Sequence, residues 1–430
     1  MLALICGLVL TSAAPRELGD FLAKKDPSVS WRVIREDKGQ TEIELTSQTW
    51  QGTVWKHGIL VQQPPKVEFK GTGVLFITGD GPRDGDRTQI RLLSNATGMP
   101  VAMLFGIPNQ PLWDMREDDL IAHTFEKYLA TKDPTWPLLF PMAKSAIKAL
   151  DAVEAVTKNS ANPLNRFLVT GASKRGWTTW MVGASGDKRV VGIAPMVYDN
   201  LNIPVQMKHQ IDSWGEYSLQ IQDYTRRGLQ AKLNTPDGQK LSAMVDPYSY
   251  REKIKIPTLI VNGGNDPYWT TDALSQYWGD LKQRKWARII PNVGHDLGGG
   301  ILAIETIGMF GRSLAGEFKM PTASWKIGDF KGDRESGGKA EYSIKLFSKG
   351  ASLEKVTIWG IENWDSKKFA DKKWGSLLTI SGAQLAHQRG EVKVNVGYFR
   401  TYTGMFAEFR YRVGTRSFSL TTPAAIVAPY

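Results

Sequence analysis

Six short runs of nearly continuous apolar character recur before residue 300: GVLFIT (73–78), VAMLFG (101–106), RFLVT (166–170), VVGIAPMV (190–197), PTLIVNG (257–263) and WARIIP (286–291). A strand that is apolar on both of its faces has no side to offer water. It belongs in a parallel sheet covered above and below. Helical patterns fall between the runs, at about 86–95, 118–157, 177–184 and 272–283. Strands alternating with helices predict an α/β sheet with right-handed crossovers. Two earlier runs, TEIELTSQTW (41–50) and HGILVQQ (57–63), add strands at the start, and the first alternates as a half-exposed edge strand does. With 42% hydrophobic and 23% charged residues the chain has the material for such a core, which excludes disordered and collagen-like classes.

Two stretches break the alternation. Residues 199–250, with MKHQIDSWGEYSLQIQDYTRRGL, read as helical and fall between two central strands. An insertion at the carboxyl side of a parallel sheet is expected to roof the site as a lid. From residue 317 the chain turns into short alternating strands at regular spacing, such as AEYSIKLFS, EKVTIWGIEN and MFAEFRYRVG. That pattern predicts a C-terminal all-β, sandwich-like domain over 317–430.

The third apolar run leads into GASKRGWTTW (171–180), so Ser173 sits where a strand turns sharply into a helix. A serine is a weak nucleophile until a base takes its proton, and the base needs an acid to hold it. Of the five histidines (His57, His123, His209, His295 and His387), only His295 lies in a glycine-rich loop after a strand, in IIPNVGHDLGGG. The acid is expected after an earlier strand, where IVNGGNDPYW supplies Asp266. Asp266 also fits a helix N-cap, and Asp272 stands nearby as a second candidate acid or cap. The order Ser173, Asp266, His295 is that of the α/β-hydrolase triad, and all three follow parallel strands. The first domain, 15–316, is therefore expected to have an α/β-hydrolase fold with a lid insertion at 199–250.

The elbow departs from G-x-S-x-G because Arg175 takes the fifth position and glycine moves to Gly176. The N–H of Lys174, at a helix start, suits a developing oxyanion. The loop GDGPRDGD (79–86) supplies Gly79 or Asp80 as the second donor. Arg175, Asn109, Gln110 and Trp269 are the expected substrate contacts, Arg175 as a cation for an oxyanion or an acidic substrate group. Asparagine and glutamine at 109 and 110 fit a proline-fixed turn equally well. Trp113, Trp136, Trp177, Trp180, Trp214 and Trp269 suit either a carbohydrate or aryl ester or a core. Asp80, Asp84 and Asp86 lack the closing glutamate of a calcium loop, and no phosphate loop, dinucleotide fingerprint or zinc spacing appears. No metal or cofactor is expected.

The formal charge is +11, but the cations are scattered without a dense run. Nucleic acid is not the expected partner. The charge fits either a generally basic surface or an acidic partner such as anionic cell-surface material. The lone Cys6 lies in MLALICGLVLTSAAP (1–15), too short to span a bilayer and patterned like a secretory signal over 1–14. Export to the periplasm or beyond is expected, and removal of that segment leaves no cysteine.

These residues together resemble the PhoPQ-activated pathogenicity-related protein family. The resemblance is carried by PNQPL (108–112), EDDLIAHTF (117–125), PLLFPMAKSAIKALDAV (137–153), VTGASKRGWTTW (169–180), PMVYDNLN (195–202), VDPYSY (245–250) and PNVGHDL (291–297), within 56–316. It implies an exported α/β-hydrolase-like domain with a β-rich tail and carries the family's Ser, Asp and His onto Ser173, Asp266 and His295. It implies no substrate, and some members are described as secreted growth regulators. A fainter likeness to glucuronoyl esterases rests on the basic residue after the serine, here Lys174. Two functions follow as expectations. One is an exported serine hydrolase for a small-molecule ester, a glycan ester or a peptide. The other is a secreted binding or signalling protein on a hydrolase scaffold.

Overall fold

The computed structural model describes residues 14–37, 39–327, 331–333, 337–381, 391–397 and 401–427. The expected signal segment with Cys6 lies outside these residues, except for residue 14, and so does His387. The strands before the tail are β1 (Ser30–Asp37), β2 (Gln40–Trp50), β3 (Thr53–Gln62), β4 (Thr72–Ile77), β5 (Val101–Leu104), β6 (Arg166–Ala172), β7 (Val190–Met196), β8 (Thr258–Gly263) and β9 (Lys285–Ile290). They lie side by side in the order β1-β2-β3-β5-β4-β6-β7-β8-β9. Strands β4 to β9 run parallel, while β1, β2 and β3 pair antiparallel and β3 meets β5 antiparallel. This is the α/β-hydrolase fold.

The apolar runs form strands because each has two faces to bury. Val74, Leu168, Leu259 and Val261 join one core, with Ile90, Leu93, Ile307 and Phe310. Their neighbours Leu75, Val169 and Ile260 join the core on the opposite face, with Phe140, Met142 and Trp180. The helices involved are α2 (Asp84–Thr97) and α10 (Ile301–Leu314) on the first face, and α4 (Leu139–Thr157) and α5 (Lys174–Ala184) on the second. Each aliphatic side chain so buried contributes roughly 1.5–3 kcal/mol.

Four details differ from the sequence reading. β2 is not an edge, because β1 pairs along it. The helix expected over 118–157 is two, α3 (Glu117–Thr131) and α4, since Lys132 closes α3 in a left-handed conformation and Pro134 and Pro137 follow. The helix expected over 272–283 is two single turns of 3₁₀ helix, Ala273–Gln276 and Trp278–Asp280. Helix α10 was not anticipated.

Between β7 and β8 the chain forms α6 (Ile203–Trp214), α7 (Gln222–Thr225), α8 (Leu229–Lys232) and α9 (Pro236–Val245). Asp246 anchors the insertion: its carboxylate accepts the N–H groups of Asn202, Ile203 and Tyr248.

The tail comprises β10 (Lys319–Ile327), β11 (Lys331–Asp333), β12 (Gly337–Lys349), β13 (Ser352–Asn363), β14 (Gly375–Ser381), β15 (Glu391–Gly397), β16 (Tyr402–Val413), β17 (Arg416–Thr421) and β18 (Ala425–Val427). β12 pairs with β10, β11 and β15 in one sheet. The strands β17-β16-β13-β14 form the other, and β17 pairs with β9, so this sheet continues the central one. Ile344 of the first sheet shares a core with Val356, Ile358 and Phe409 of the second.

Candidate active site

β6 delivers Ser173 into a backbone conformation that few non-glycine residues adopt, φ 58° and ψ −126°. Such a conformation costs on the order of 1–3 kcal/mol and persists only where its surroundings enforce it. Two glycines permit it. A Cβ on Gly171 would lie 2.8 Å from the Arg175 carbonyl oxygen and 2.9 Å from that of Ile77. A Cβ on Gly176 would lie 2.5 Å from the Met196 carbonyl oxygen. The glycine missing from the fifth elbow position is thus replaced one residue later by Gly176, which lets α5 start hard against β7.

His295 follows β9 and Asp266 follows β8. The Ser173 Oγ–His295 Nε2 distance is 2.8 Å, and His295 Nδ1 stands 2.8 Å from Asp266 Oδ2. With Asp266 accepting, Nδ1 carries the hydrogen and Nε2 is left to accept from the serine hydroxyl. The other oxygen, Asp266 Oδ1, accepts the Tyr268 N–H at 2.9 Å, so one carboxylate both caps a turn and holds the histidine. Tyr268 stacks on the His295 ring at 4.0 Å, a contact that no sequence signal marks. Asp272 instead pairs with His209 Nε2 of α6 at 2.8 Å. His57 is fully committed elsewhere: Nδ1 donates to the Phe105 and Gly106 carbonyls and Nε2 meets Ser47 Oγ, with no carboxylate among these partners. Burial pushes its pKa down to about 4.

The cations behind the serine are neutralised from α3. Lys174 Nζ lies 2.8 Å from Glu117 Oε2 and 3.0 Å from Asp118 Oδ2. The Arg175 guanidinium forms a two-pronged pair with Glu117 and also donates to the Ile107 carbonyl. Burial alone would raise the Glu117 pKa, but bonding and charge from Arg175, with Lys174 beside it, hold it well below the usual carboxylate range. Arg175 therefore offers no free cation to an acidic substrate, contrary to expectation. Asn109 Oδ1 accepts the Lys56 N–H, and Gln110 bonds to Glu117 through both ends of its amide. Both are loop braces rather than pocket residues. The Asp80 carboxylate accepts from Gln110 and Arg116. Gly79 leaves room for Arg175, since a Cβ there would sit 2.7 Å from the guanidinium. The bracing residue Glu117 stands in EDDLIAHTF (117–125), close to residues that the sequence did single out.

A cavity of about 90 Å³ opens from Ser173 beneath the insertion. Its walls include Phe125, Trp177, Tyr198, Met207, Leu241 and Trp269. The rings interlock: Trp177 stacks on Tyr198 at 4.8 Å, Phe125 meets Trp177 edge-on and Trp269 meets Tyr198 edge-on. Four buried polar atoms on this wall, Tyr198 Oη, Asn200 Oδ1, Gln230 Oε1 and Trp269 Nε1, have no hydrogen-bond partner. Of the six tryptophans singled out, Trp177 and Trp269 line the cavity. Trp180 is core, Trp113 and Trp136 pack with Trp50, and Trp214 donates to the Lys367 carbonyl in the tail. Among the described residues no helix is long and apolar enough to cross a membrane.

Comparison with known proteins adds the following. The family described as PhoPQ-activated pathogenicity-related protein matches residues 18–370. Autocrine proliferation repressor protein A of Dictyostelium discoideum is 33% identical over 386 residues, which cover 84% of this chain and 76% of that protein. Among solved structures, acetyl xylan esterase 1 of a Thermoanaerobacterium species aligns with TM-score 0.48 and 14% identity, over 70% of this chain and 95% of its own. An S-formylglutathione hydrolase of Agrobacterium tumefaciens aligns with TM-score 0.45 and 13% identity, over 66% of this chain and 100% of its own.

Proposed function

The chain belongs to the PhoPQ-activated pathogenicity-related protein family, and from that premise we propose that it is a serine hydrolase acting on carboxylic esters, with peptide bonds as the alternative substrate. One observation carries the reading: the unbroken hydrogen-bonded line Ser173–His295–Asp266 on a serine held at a strained turn. In this reading Ser173 Oγ attacks the acyl carbon as its proton passes to His295 Nε2. Asp266 keeps the imidazole in the accepting tautomer and stabilises the imidazolium that forms. The oxyanion develops against the Lys174 N–H at the start of α5, with the Gly79 or Asp80 N–H as second donor. His295 returns the proton to the departing alcohol or amine, and water then releases the acyl group by the same steps.

Ser173→Ala is expected to lower kcat by about a million-fold, with the fold preserved. Equal ester turnover by the variant and the parent would overturn the reading.

A second reading is supported by the name of the Dictyostelium relative, a proliferation repressor. On it the chain is a secreted binding or signalling protein, with anionic cell-surface material as a partner. Salt-dependent binding of the full chain to such material, undiminished in Ser173→Ala, is the result that favours it. Export is part of both readings and rests on the apolar pattern of 1–14. N-terminal sequencing of the protein from its host tests it, and an intact Met1 would contradict it.

A further inference from the structure

The cavity touches Ser173 but His295 is not part of its wall. This separates the two halves of an ester, on the reading that Ser173 is the nucleophile. The leaving alcohol must stand within reach of the histidine that protonates it. The half that enters the cavity is then the acyl half. We propose that this cavity is an acyl site for short, apolar chains of about four or five carbons, and that the alcohol half lies outside it, on the side of His295.

Size sets the chain length. An apolar cavity of about 150 Å³ accepts benzene. The cavity here, about 90 Å³, is smaller and by that comparison takes roughly three or four heavy atoms beyond the carbonyl. Acetate would leave most of it empty, and the far end of an octanoyl chain would pass out of its open mouth. Charge sets the class. Lys174, the cation nearest the serine, is already matched by Glu117 and Asp118, and the Tyr224 hydroxyl donates to Asp118. A carboxylate or phosphate close to the serine would meet no unmatched cation, at a large desolvation cost; the other cation on the wall is Lys232 of α8. The unpartnered atoms of Asn200, Gln230 and Trp269 leave room for one neutral polar substituent.

The test measures kcat/KM for p-nitrophenyl esters from acetate to octanoate, with fluorophosphonate labelling of the same preparation. Each methylene that fills a dry apolar pocket is expected to raise kcat/KM about fourfold, with a maximum at butyrate or valerate and a fall by octanoate. Leu241→Phe is expected to move the maximum towards acetate, and Leu241→Ala towards hexanoate. The two substitutions perturb the same wall in opposite senses, so a general loss of stability moves neither maximum in the required direction. Labelled enzyme with a flat profile, a maximum at acetate, or no shift in either variant overturns the acyl site while leaving the nucleophile intact. Folded protein that takes no label overturns the nucleophile and the acyl site with it.

Discussion

At the scale of single residues, Glu117 is the group whose removal says most about the site. It carries the charges of Lys174 and Arg175, the two residues that follow the serine. Glu117→Gln leaves Arg175 buried without its carboxylate and is expected to destabilise the fold by about 2 kcal/mol, below the usual range for a buried pair because Glu117 is partly exposed. The urea midpoint should fall with an unchanged slope. Because Glu117 is held below its ordinary pKa, its contribution is present at neutral pH and is lost as the medium is acidified below the unfolded value. Asp199 works in the other direction. Burial pushes its carboxyl up to about 7, although Tyr277 and Asn262 donate to it. Its contribution is full below the unfolded value near 4 and is lost as pH rises through 7. Asp199→Asn is expected to flatten the decline in melting temperature between pH 5 and pH 8, and an unchanged decline would contradict that assignment. The serine, acid and histidine were legible in the sequence because each follows a strand. Glu117 and Tyr268 were not, since nothing local marks that the first residue of α3 or the turn after Asp266 faces the site.

At the scale of elements, the loop between β13 and β14 bears on the acid and histidine loops. Asn265 Nδ2 donates to the Lys372 carbonyl at 2.7 Å and to that of Phe369 at 3.1 Å. Trp374 Nε1 donates to the Gly264 carbonyl, and its backbone exchanges two hydrogen bonds with Asn292. Asn265 precedes the proposed acid, and Asn292 stands three residues before the proposed base. Asn265→Ala is expected to lower kcat about tenfold while KM and the preferred acyl length stay fixed, because the cavity lies elsewhere. A changed chain-length maximum with constant kcat would contradict this. The parallel strands were read within a residue or two, since burial on both faces writes itself into composition. The stretch 272–283 misled because its apolar residues pack around Asp199 through single turns, with Leu274 and Tyr277 buried. Helix α10 escaped although Glu305 and Arg312, and Thr306 and Ser313, stand seven residues apart along one side of it.

For the whole molecule, regular strand spacing identified the tail as β-rich, but spacing carries no record of distant pairing. The tail joins the rest through β17 and β9, through the buried Arg288–Glu408 pair at 2.8 Å, and through a small core of Ile289, Ile361, Phe369, Trp374 and Phe406. With cores shared across 316–317, urea unfolding of the full chain is expected to follow one transition by fluorescence and by circular dichroism. Two separated transitions would mean that the tail is an independent unit. The central claim concerns one oxygen atom, and the most direct measurement treats the full chain with a fluorophosphonate and locates the adduct by peptide mass spectrometry. The account predicts one adduct, on Ser173, absent from Ser173→Ala and strongly slowed in His295→Ala. A folded protein without an adduct, or with labelling undiminished in Ser173→Ala, would contradict it.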